Sequence, residues 1–146
     1  MILVDANLLI YAANRSAPEH EAARGWLDDR LNGSAAVGLP WHALLGFVRV
    51  ASNPAVMRNA VAPAVAMAQV DEWLACPPAW IPHPGEQHAA ILSRLLASPI
   101  MTSRLVADAH LAALAIEHGL TLCSADGDFD KFPGLTWLNP FAAGQP

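Results

Sequence analysis

The segment TSRLVADAHLAALAIEHGLTLCSADGDFD, residues 102–130, contains the alternation of elements that decides the fold. A threonine or serine at its start can cap a helix, and Gly119 is suited to end that helix in a left-handed conformation. The apolar LTLC that follows, residues 120–123, predicts a short buried strand. Asp126 and Asp128 come soon after this strand. A helix that leads at once into an apolar strand indicates an α/β protein.

The same alternation extends in both directions along the chain. Short apolar strands are predicted near residues 2–4, 35–39, 79–81 and 135–138. Helices are predicted within residues 7–13, 18–31, 40–52, 63–75 and 86–98. Helices between short apolar strands predict a three-layer α/β/α sandwich around a short, largely parallel central sheet. Because the chain has 146 residues and no long linker, we expect one domain over residues 1–146, with a flexible tail at 142–146.

Composition limits the classes of protein to consider. Hydrophobic residues make up 54% of the chain and charged residues only 14%, whereas about a quarter is usual for charged residues. We expect the apolar excess to form an oligomer or partner surface. No apolar run reaches the roughly 18 residues that span a bilayer, so we expect a cytoplasmic protein. The net charge of −5 argues against non-specific polyanion binding, although bound divalent cations would invert the local field.

Acidic residues follow two of the predicted strands. Asp5 comes directly after the first strand, and Asp126 and Asp128 follow the strand at 120–123. In open parallel sheets, functional groups gather beyond the carboxyl ends of the strands, near a switch in strand order. We therefore expect these carboxylates to meet at one edge of the sheet. The plain alternative for residues 124–130 is a solvated turn.

Asp108 supplies a third acidic position, on the helix that precedes this strand. Its helical neighbours at i+3, i+4 and i+7 are all apolar: Leu111, Ala112 and Ala115. The carboxylate therefore shares the buried face, where an unpaired charge is costly and needs a cation, a hydrogen-bond network or a cleft. A structural pair between Asp108 and a buried arginine would also meet this need.

A site built from carboxylate oxygens favours a hard divalent cation. Carboxylates without soft ligands suit Mg²⁺ or Mn²⁺, and close-set acids raise each other's pKa unless a cation neutralises them. An EF-hand is excluded, because a loop that starts at Asp126 has Lys131 and Trp137 where glycine and glutamate are required. We expect the remaining acid of the turn, Asp130, to pair with Lys131 at the surface.

Four segments together carry a resemblance to a known family. They are MILVDANLLIYA at 1–12, VADAHLAALAIEHG at 106–119, TLCSADGDF at 121–129 and FPGL at 132–135. In order and spacing they resemble the PIN-domain ribonucleases. The opening DANLLIYA…PEHEAARGWL is most similar to the VapC toxins of bacterial toxin–antitoxin pairs.

The resemblance implies a PIN-like fold and a specific biochemical role. It implies a Mg²⁺-dependent endoribonuclease of a type II toxin–antitoxin system, with Mn²⁺ as a substitute cofactor. Such an enzyme cleaves structured RNA, either tRNA or rRNA, through a metal-activated water and is inhibited by a cognate VapB-type antitoxin. Family members are commonly dimers, so the resemblance also implies a homodimer.

The resemblance can be carried over residue by residue. It assigns catalysis and metal binding to Asp5, Asp108 and Asp126, with Asp128 as an accessory or alternative ligand. Asn7 matches the family's small polar residue after the first aspartate, which would hydrogen-bond a ligand or a metal water.

Two basic or neutral side chains complete the expected site. Arg49 matches the family's arginine, which either positions RNA or forms a structural salt bridge. His110 projects away from the Asp108 face of its helix, so we expect it at the edge of the cleft as a substrate contact.

One position departs from the family pattern. A glutamate commonly precedes the LVR of the third helix, whereas LLGFVRV places Gly46 there. Either another acid or solvent fills the gap, or metal affinity is lower. His42 lies one helical turn earlier and can reach the same face.

Two other functions remain open on the sequence alone. A binding module that keeps the fold without catalysis would explain Gly46 and the apolar excess. A phosphatase-type hydrolase could use Asp5 as its nucleophile. That chemistry normally wants a second acid two residues on, where Asn7 stands, and a suitably placed lysine, of which Lys131 is the only one in the chain.

Overall fold

The computed structural model describes residues 1–142, which form five short strands and six α-helices. The strands are β1 (Ile2–Val4), β2 (Val37–Gly38), β3 (Ala79–Trp80), β4 (Thr121–Cys123) and β5 (Trp137–Leu138). The helices are α1 (Ala6–Ala13), α2 (His20–Leu31), α3 (Trp41–Ala51), α4 (Pro63–Leu74), α5 (His88–Leu96) and α6 (Val106–His118). Two short 3-10 turns, Ser103–Leu105 and Gly127–Lys131, precede α6 and follow β4. Each element predicted from the sequence is present, with small shifts at the ends.

The five strands form one parallel sheet in the order β3-β2-β1-β4-β5. The central strand β1 pairs with β2 on one side and with β4 on the other, where Val4 lies opposite Cys123. The strand order therefore reverses between β1 and β4, and open sheets place their functional groups at such a switch point. The residues that follow β1 and β4 emerge side by side at this edge.

Helices cover both faces of the sheet. One core, which includes Val4, Leu8 and Phe47, joins the sheet to the helices of the first half of the chain. A second core, which includes Leu3 and Leu111, joins it to α5 and α6. Successive side chains of a strand point to opposite faces of the sheet, so Val4 lies in the first core and Leu3 in the second. The predicted three-layer α/β/α sandwich is confirmed.

Helix α6 ends as predicted but begins differently. Gly119 takes a φ of 65° just past its last residue, the left-handed end expected of a glycine. No threonine or serine side chain caps α6; the turn Ser103–Leu105 leads into it, and the residue at its entry is the buried Leu105. The predicted cap is wrong because an apolar contact, not a hydroxyl, anchors the helix entry. Val106 begins the helix, which places Asp108 in its first turn.

The surface can be compared with the expectations of no membrane span and of an apolar partner surface. Among the described residues, no helix is long and apolar enough to cross a membrane. Apolar side chains such as Leu45, which is 58% exposed, and Val65, which is 56% exposed, lie open to solvent on α3 and α4. The predicted tail at 142–146 lies outside the described residues apart from Ala142.

Candidate active site

Asp5 lies at the sheet edge, between the end of β1 and the start of α1. Its Oδ1 accepts a hydrogen bond of 2.7 Å from the N–H of Ala6, so the carboxylate caps α1. Its Oδ2 accepts 2.8 Å and 3.4 Å bonds from Ser124 Oγ and Asn7 Nδ2. Burial is the main cause that raises the pKa of Asp5, and the charge of Asp126 adds to it. The hydrogen bonds therefore hold the carboxylate in one orientation, while its surroundings disfavour the charged form.

Ser124, directly after β4, connects the two strand ends. Its side chain is completely buried and donates to Asp5, while its oxygen accepts from Asn7 Nδ2 and from the N–H of Asp126, both at 3.0 Å. Asn7 Oδ1 in turn accepts from the N–H of Ala125 at 3.3 Å. Asn7 therefore supports the loop after β4. Ser124 is not among the residues predicted from the sequence; its only signal is a small hydroxyl residue directly after a buried strand.

The predicted acids Asp108, Asp126 and Asp128 converge at this edge. One carboxylate oxygen from each lies within 4.8 Å of the other two. Asp126 is oriented by its own loop, because its Oδ1 accepts from the N–H of Asp128 at 2.9 Å. Asp5 lies outside this closest group, yet its charge raises the pKa of Asp108. The structure thus gathers three carboxylates, with a fourth close enough to interact electrostatically.

Asp108 shows most clearly that the group has an excess of negative charge. Burial, the largest cause, and the charges of the neighbouring acids together raise its pKa from 3.8 to about 6. Among residues 1–142, Asp108 has no ion pair with a buried arginine, so that structural alternative is not seen. A divalent cation would relieve the repulsion, and a donor set made of carboxylate oxygens fits Mg²⁺ or Mn²⁺.

Asp128 differs from the other acids because two cations hold it. Arg104 Nη1 lies 2.6 Å from its Oδ2, and Lys131 Nζ lies 2.7 Å from its Oδ1. Hydrogen bonds from Lys131 and Arg104 lower the pKa of Asp128. The expected pair between Lys131 and Asp130 is wrong, because the 3-10 turn directs Lys131 to Asp128 and leaves Asp130 exposed.

Helix α3 forms the wall where the resemblance implies a further acid. An open cavity of about 600 Å³ lies there, and its lining includes His42, Gly46 and Arg49 but no acid. A β-carbon at Gly46 would lie 3.2 Å from the Cβ of Ala6, so α3 approaches α1 closely at this glycine. None of the described residues that line this cavity is acidic, so no other acid takes the place of the glutamate that Gly46 replaces.

Arg49 and His110 have different surroundings. Arg49 is exposed, and within residues 1–142 it forms no salt bridge. His110 is half-buried, and its ring contacts the rings of His42 and His88. Its role as a substrate contact stays a prediction.

Known proteins share this sequence pattern over nearly its whole length. The family model described as PIN domain matches residues 2–135. Ribonuclease VapC37 of Mycobacterium tuberculosis is 42% identical over 140 residues, which cover 96% of this chain and 97% of the relative. Ribonuclease VapC33 of the same species is 38% identical, with 96% of this chain and 98% of the relative covered.

Solved structures share the fold at lower sequence identity. The structure of VapBC2 from Rickettsia felis, bound to a DNA fragment from its promoter, matches with a TM-score of 0.65 and 16% identity, over 95% of this chain and 98% of that chain. The structure of FitAcB from Neisseria gonorrhoeae matches with a TM-score of 0.68 and 22% identity, over 97% of this chain and 99% of that chain. At these identities the likeness shows the fold alone.

Proposed function

This chain belongs to the PIN-domain family, and from that premise we propose that it is the Mg²⁺-dependent endoribonuclease toxin of a type II toxin–antitoxin pair. Its relatives at 38–42% identity are named ribonucleases. The observation that carries the proposal is the convergence of Asp108, Asp126 and Asp128, whose oxygens lie within 4.8 Å of one another. Asp5 lies beside them at the switch point of the sheet, where open α/β sheets bind their ligands.

The four acids would hold the cation, and their neighbours would keep them in place. When bound, Mg²⁺ or Mn²⁺ lowers the pKa of water and offsets the charge that develops on the scissile phosphate. Ser124 and Ala6 hold the two oxygens of Asp5, so this carboxylate keeps one direction. The N–H of Asp128 orients Asp126 in the same way. Ligands fixed before substrate arrives lower the cost of organising the site.

Structured RNA, either tRNA or rRNA, is the proposed substrate class. With eight Lys and Arg residues and a net charge of −5, the chain has little positive charge to offer to RNA phosphates. Shape and metal contacts would therefore dominate recognition. The candidate phosphate contacts are Arg49, which is exposed and lines the cavity beside Gly46, and Arg104, which is exposed and paired with Asp128. Because these RNAs are cytoplasmic, we place the activity in the cytoplasm.

A VapB-type antitoxin is the proposed inhibitor. Leu45, Val61 and Val65 are exposed apolar residues on α3, α4 and the segment between them. Leu45 also lines the cavity beside Gly46, so a partner that covers this surface would reach the candidate active site. We also propose a homodimer, on the family resemblance alone.

Cleavage of total RNA by the purified, antitoxin-free chain tests the enzymatic proposal. We expect cleavage in Mg²⁺ or Mn²⁺, none in EDTA, and products with 5′-phosphate and 3′-hydroxyl ends. The double variant Asp5→Asn/Asp108→Asn should lose activity, whereas Asp130→Asn, an exposed acid outside the group, should keep it. If the folded protein cleaves no RNA in either metal, it is not a nuclease.

A binding module without catalysis is the second candidate function. The lack of an acid among the described residues that line the Gly46 cavity favours it. Binding of a VapB-type antitoxin without RNA cleavage would support this function in place of the enzyme. The phosphatase alternative is weakened, because Lys131, the only lysine, is paired with Asp128 at 2.7 Å.

A further inference from the structure

A polar cavity lies at the opposite end of α1 from Asp5. It has a volume of about 200 Å³ and lies where the end of α1, the start of α2 and α4 come together. Its lining combines two alanines at the end of α1 with four polar side chains, Arg15, His20, Arg24 and Gln69. We refer to these four polar residues as the basic pocket. None of the described residues that line it is acidic.

The two arginines of the basic pocket are not neutralised by strong ion pairs. Both are exposed, and within residues 1–142 Arg15 forms no salt bridge. Arg24 lies 3.9 Å from Asp28 one helical turn away, with side chains that are 64% and 59% exposed. An exposed pair of this kind contributes little to stability. Both guanidinium groups are therefore available to an anion.

His20 adds a hydrogen-bond acceptor to these donors. Its Nδ1 lies 2.9 Å from the carbonyl oxygen of Tyr11. Because a carbonyl oxygen only accepts, Nδ1 carries the proton, and Nε2 of the neutral ring keeps a lone pair for a ligand. Gln69 donates only a long bond of 3.4 Å to Glu72, so its amide can also donate to a ligand. The pocket therefore offers cationic donors, an amide and one acceptor.

A ribonucleotide matches this combination of groups. Guanidinium groups bind phosphate oxygens through paired hydrogen bonds. The ribose 2′-hydroxyl both donates and accepts, so it can donate to the lone pair of His20. A carboxylate, or a phosphodiester without a 2′-hydroxyl, offers acceptors only and leaves that lone pair unmatched. The pocket therefore favours an RNA backbone over DNA or an acidic peptide.

The place of the pocket suits a nucleic acid that also reaches the acidic group. Asp5 caps the start of α1, and this helix has 8 residues, so its two ends lie about 12 Å apart. A short stretch of RNA backbone spans that distance. Arg15 follows the carboxyl end of α1, where the helix dipole favours a cation. That effect explains Arg15 but not Arg24, which lies on a different helix.

We propose that the basic pocket binds one backbone phosphate and the adjoining ribose of the RNA substrate, away from the bond that is cleaved. The inference rests on the proposed ribonuclease function and adds a second point of contact to it. Arg15 and Arg24 hold the phosphate, and His20 accepts from the 2′-hydroxyl. Two contacts about one helix length apart fix the direction in which the RNA crosses the acidic group.

Binding of a fluorescent RNA stem-loop in EDTA, followed by anisotropy, tests the proposal without cleavage. The variant Arg15→Gln/Arg24→Gln should weaken RNA binding about tenfold, the equivalent of one charge-assisted hydrogen bond. It should also reduce the slope of log affinity against log salt concentration by about one. Arg58→Gln/Arg94→Gln removes the same charge at two exposed positions outside the pocket and should change neither quantity.

A DNA stem-loop of the same sequence tests the role of His20. The wild type should prefer RNA, and His20→Phe, which keeps a ring without nitrogens, should reduce that preference and leave the salt slope unchanged. NMR of the unaltered chain gives a readout that does not depend on whether any variant folds. RNA should shift the side-chain nitrogen signals of Arg15, Arg24 and His20.

The outcomes separate this inference from the ribonuclease function. If the wild type cleaves RNA in Mg²⁺ but the Arg15→Gln/Arg24→Gln change leaves RNA affinity and salt slope as they were, only this inference is overturned. A chain that neither binds nor cleaves RNA overturns both. If the same variant keeps RNA binding and loses antitoxin binding, the pocket belongs to carboxylates of the protein partner and the inference is wrong.

Discussion

Replacing Asp108 with asparagine should stabilise the metal-free protein while removing its metal binding. The pKa of Asp108 is about 6 instead of 3.8, a difference of about two pH units. At 1.36 kcal/mol per unit, the charged form costs the folded state about 3 kcal/mol at neutral pH. Because the side chain is only partly buried, solvent screening reduces the expected cost to about 1–2 kcal/mol.

The sign of the pH dependence follows from the direction of the pKa change. Below pH 3.8 the carboxyl is protonated in both the folded and the unfolded chain, so the cost is absent. Between pH 3.8 and about 6 the folded chain binds more protons, so wild-type stability falls as pH rises. Above about pH 6 the cost is complete, and Asp108→Asn should show its full advantage there.

Urea denaturation in EDTA measures this difference. At neutral pH, Asp108→Asn should be more stable than the wild type by about 1–2 kcal/mol, and the gap should close as pH falls toward 4. Added Mg²⁺ should stabilise the wild type and leave the variant unchanged. Asp130→Asn, in the exposed part of the turn, is the matched control and should change stability by less than about 0.5 kcal/mol. A variant that is equally or less stable in EDTA at neutral pH would refute the reasoning.

Three further substitutions give distinct outcomes. Ser124→Ala removes the acceptor of the Asp126 N–H and one of the two acceptors of Asn7 Nδ2, both partly buried. The change should cost about 1–3 kcal/mol of unfolding free energy in urea, and a neutral change would contradict the network. Gly46→Glu should tighten Mg²⁺ binding in calorimetry, while the 3.2 Å approach to the Cβ of Ala6 costs about 1 kcal/mol or more of stability. Unchanged Mg²⁺ affinity would show that α3 does not face the metal. Arg104→Ala should raise the pKa of Asp128 in a carboxyl NMR titration, and an unmoved pKa would mean that the ion pair is not formed in solution.

The architecture is largely predictable from local patterns. Parallel strands are buried on both faces, so residues 2–4 and 120–123 read as short continuous apolar runs between helices. The entry to α6 is not predictable in this way. Thr102 and Ser103 are good caps in isolation, but burial of Leu105 depends on the packed core, which the local sequence does not show.

The candidate site is predictable only in its acids. Asp5, Asp108 and Asp126 each lie just past a strand or in the first turn of a helix, so their convergence follows from the order of elements. Ser124 reaches Asp5 across 119 residues of sequence, and only the pairing of β1 with β4 brings the two together. The pairing of Lys131 with Asp128 likewise depends on the path of a 3-10 turn.

The ion pairs of Asp128 determine the charge balance of the cleft. When ionised, the four acids of the site carry four negative charges: Asp5, Asp108, Asp126 and Asp128. Arg104 and Lys131, which pair with Asp128, contribute two positive charges. The two negative charges that remain equal the charge of a single divalent cation. One bound Mg²⁺ therefore leaves the cleft neutral, and a second would leave it positive until a phosphate arrived. The resting protein should hold one ion, and any second ion should enter together with the RNA backbone.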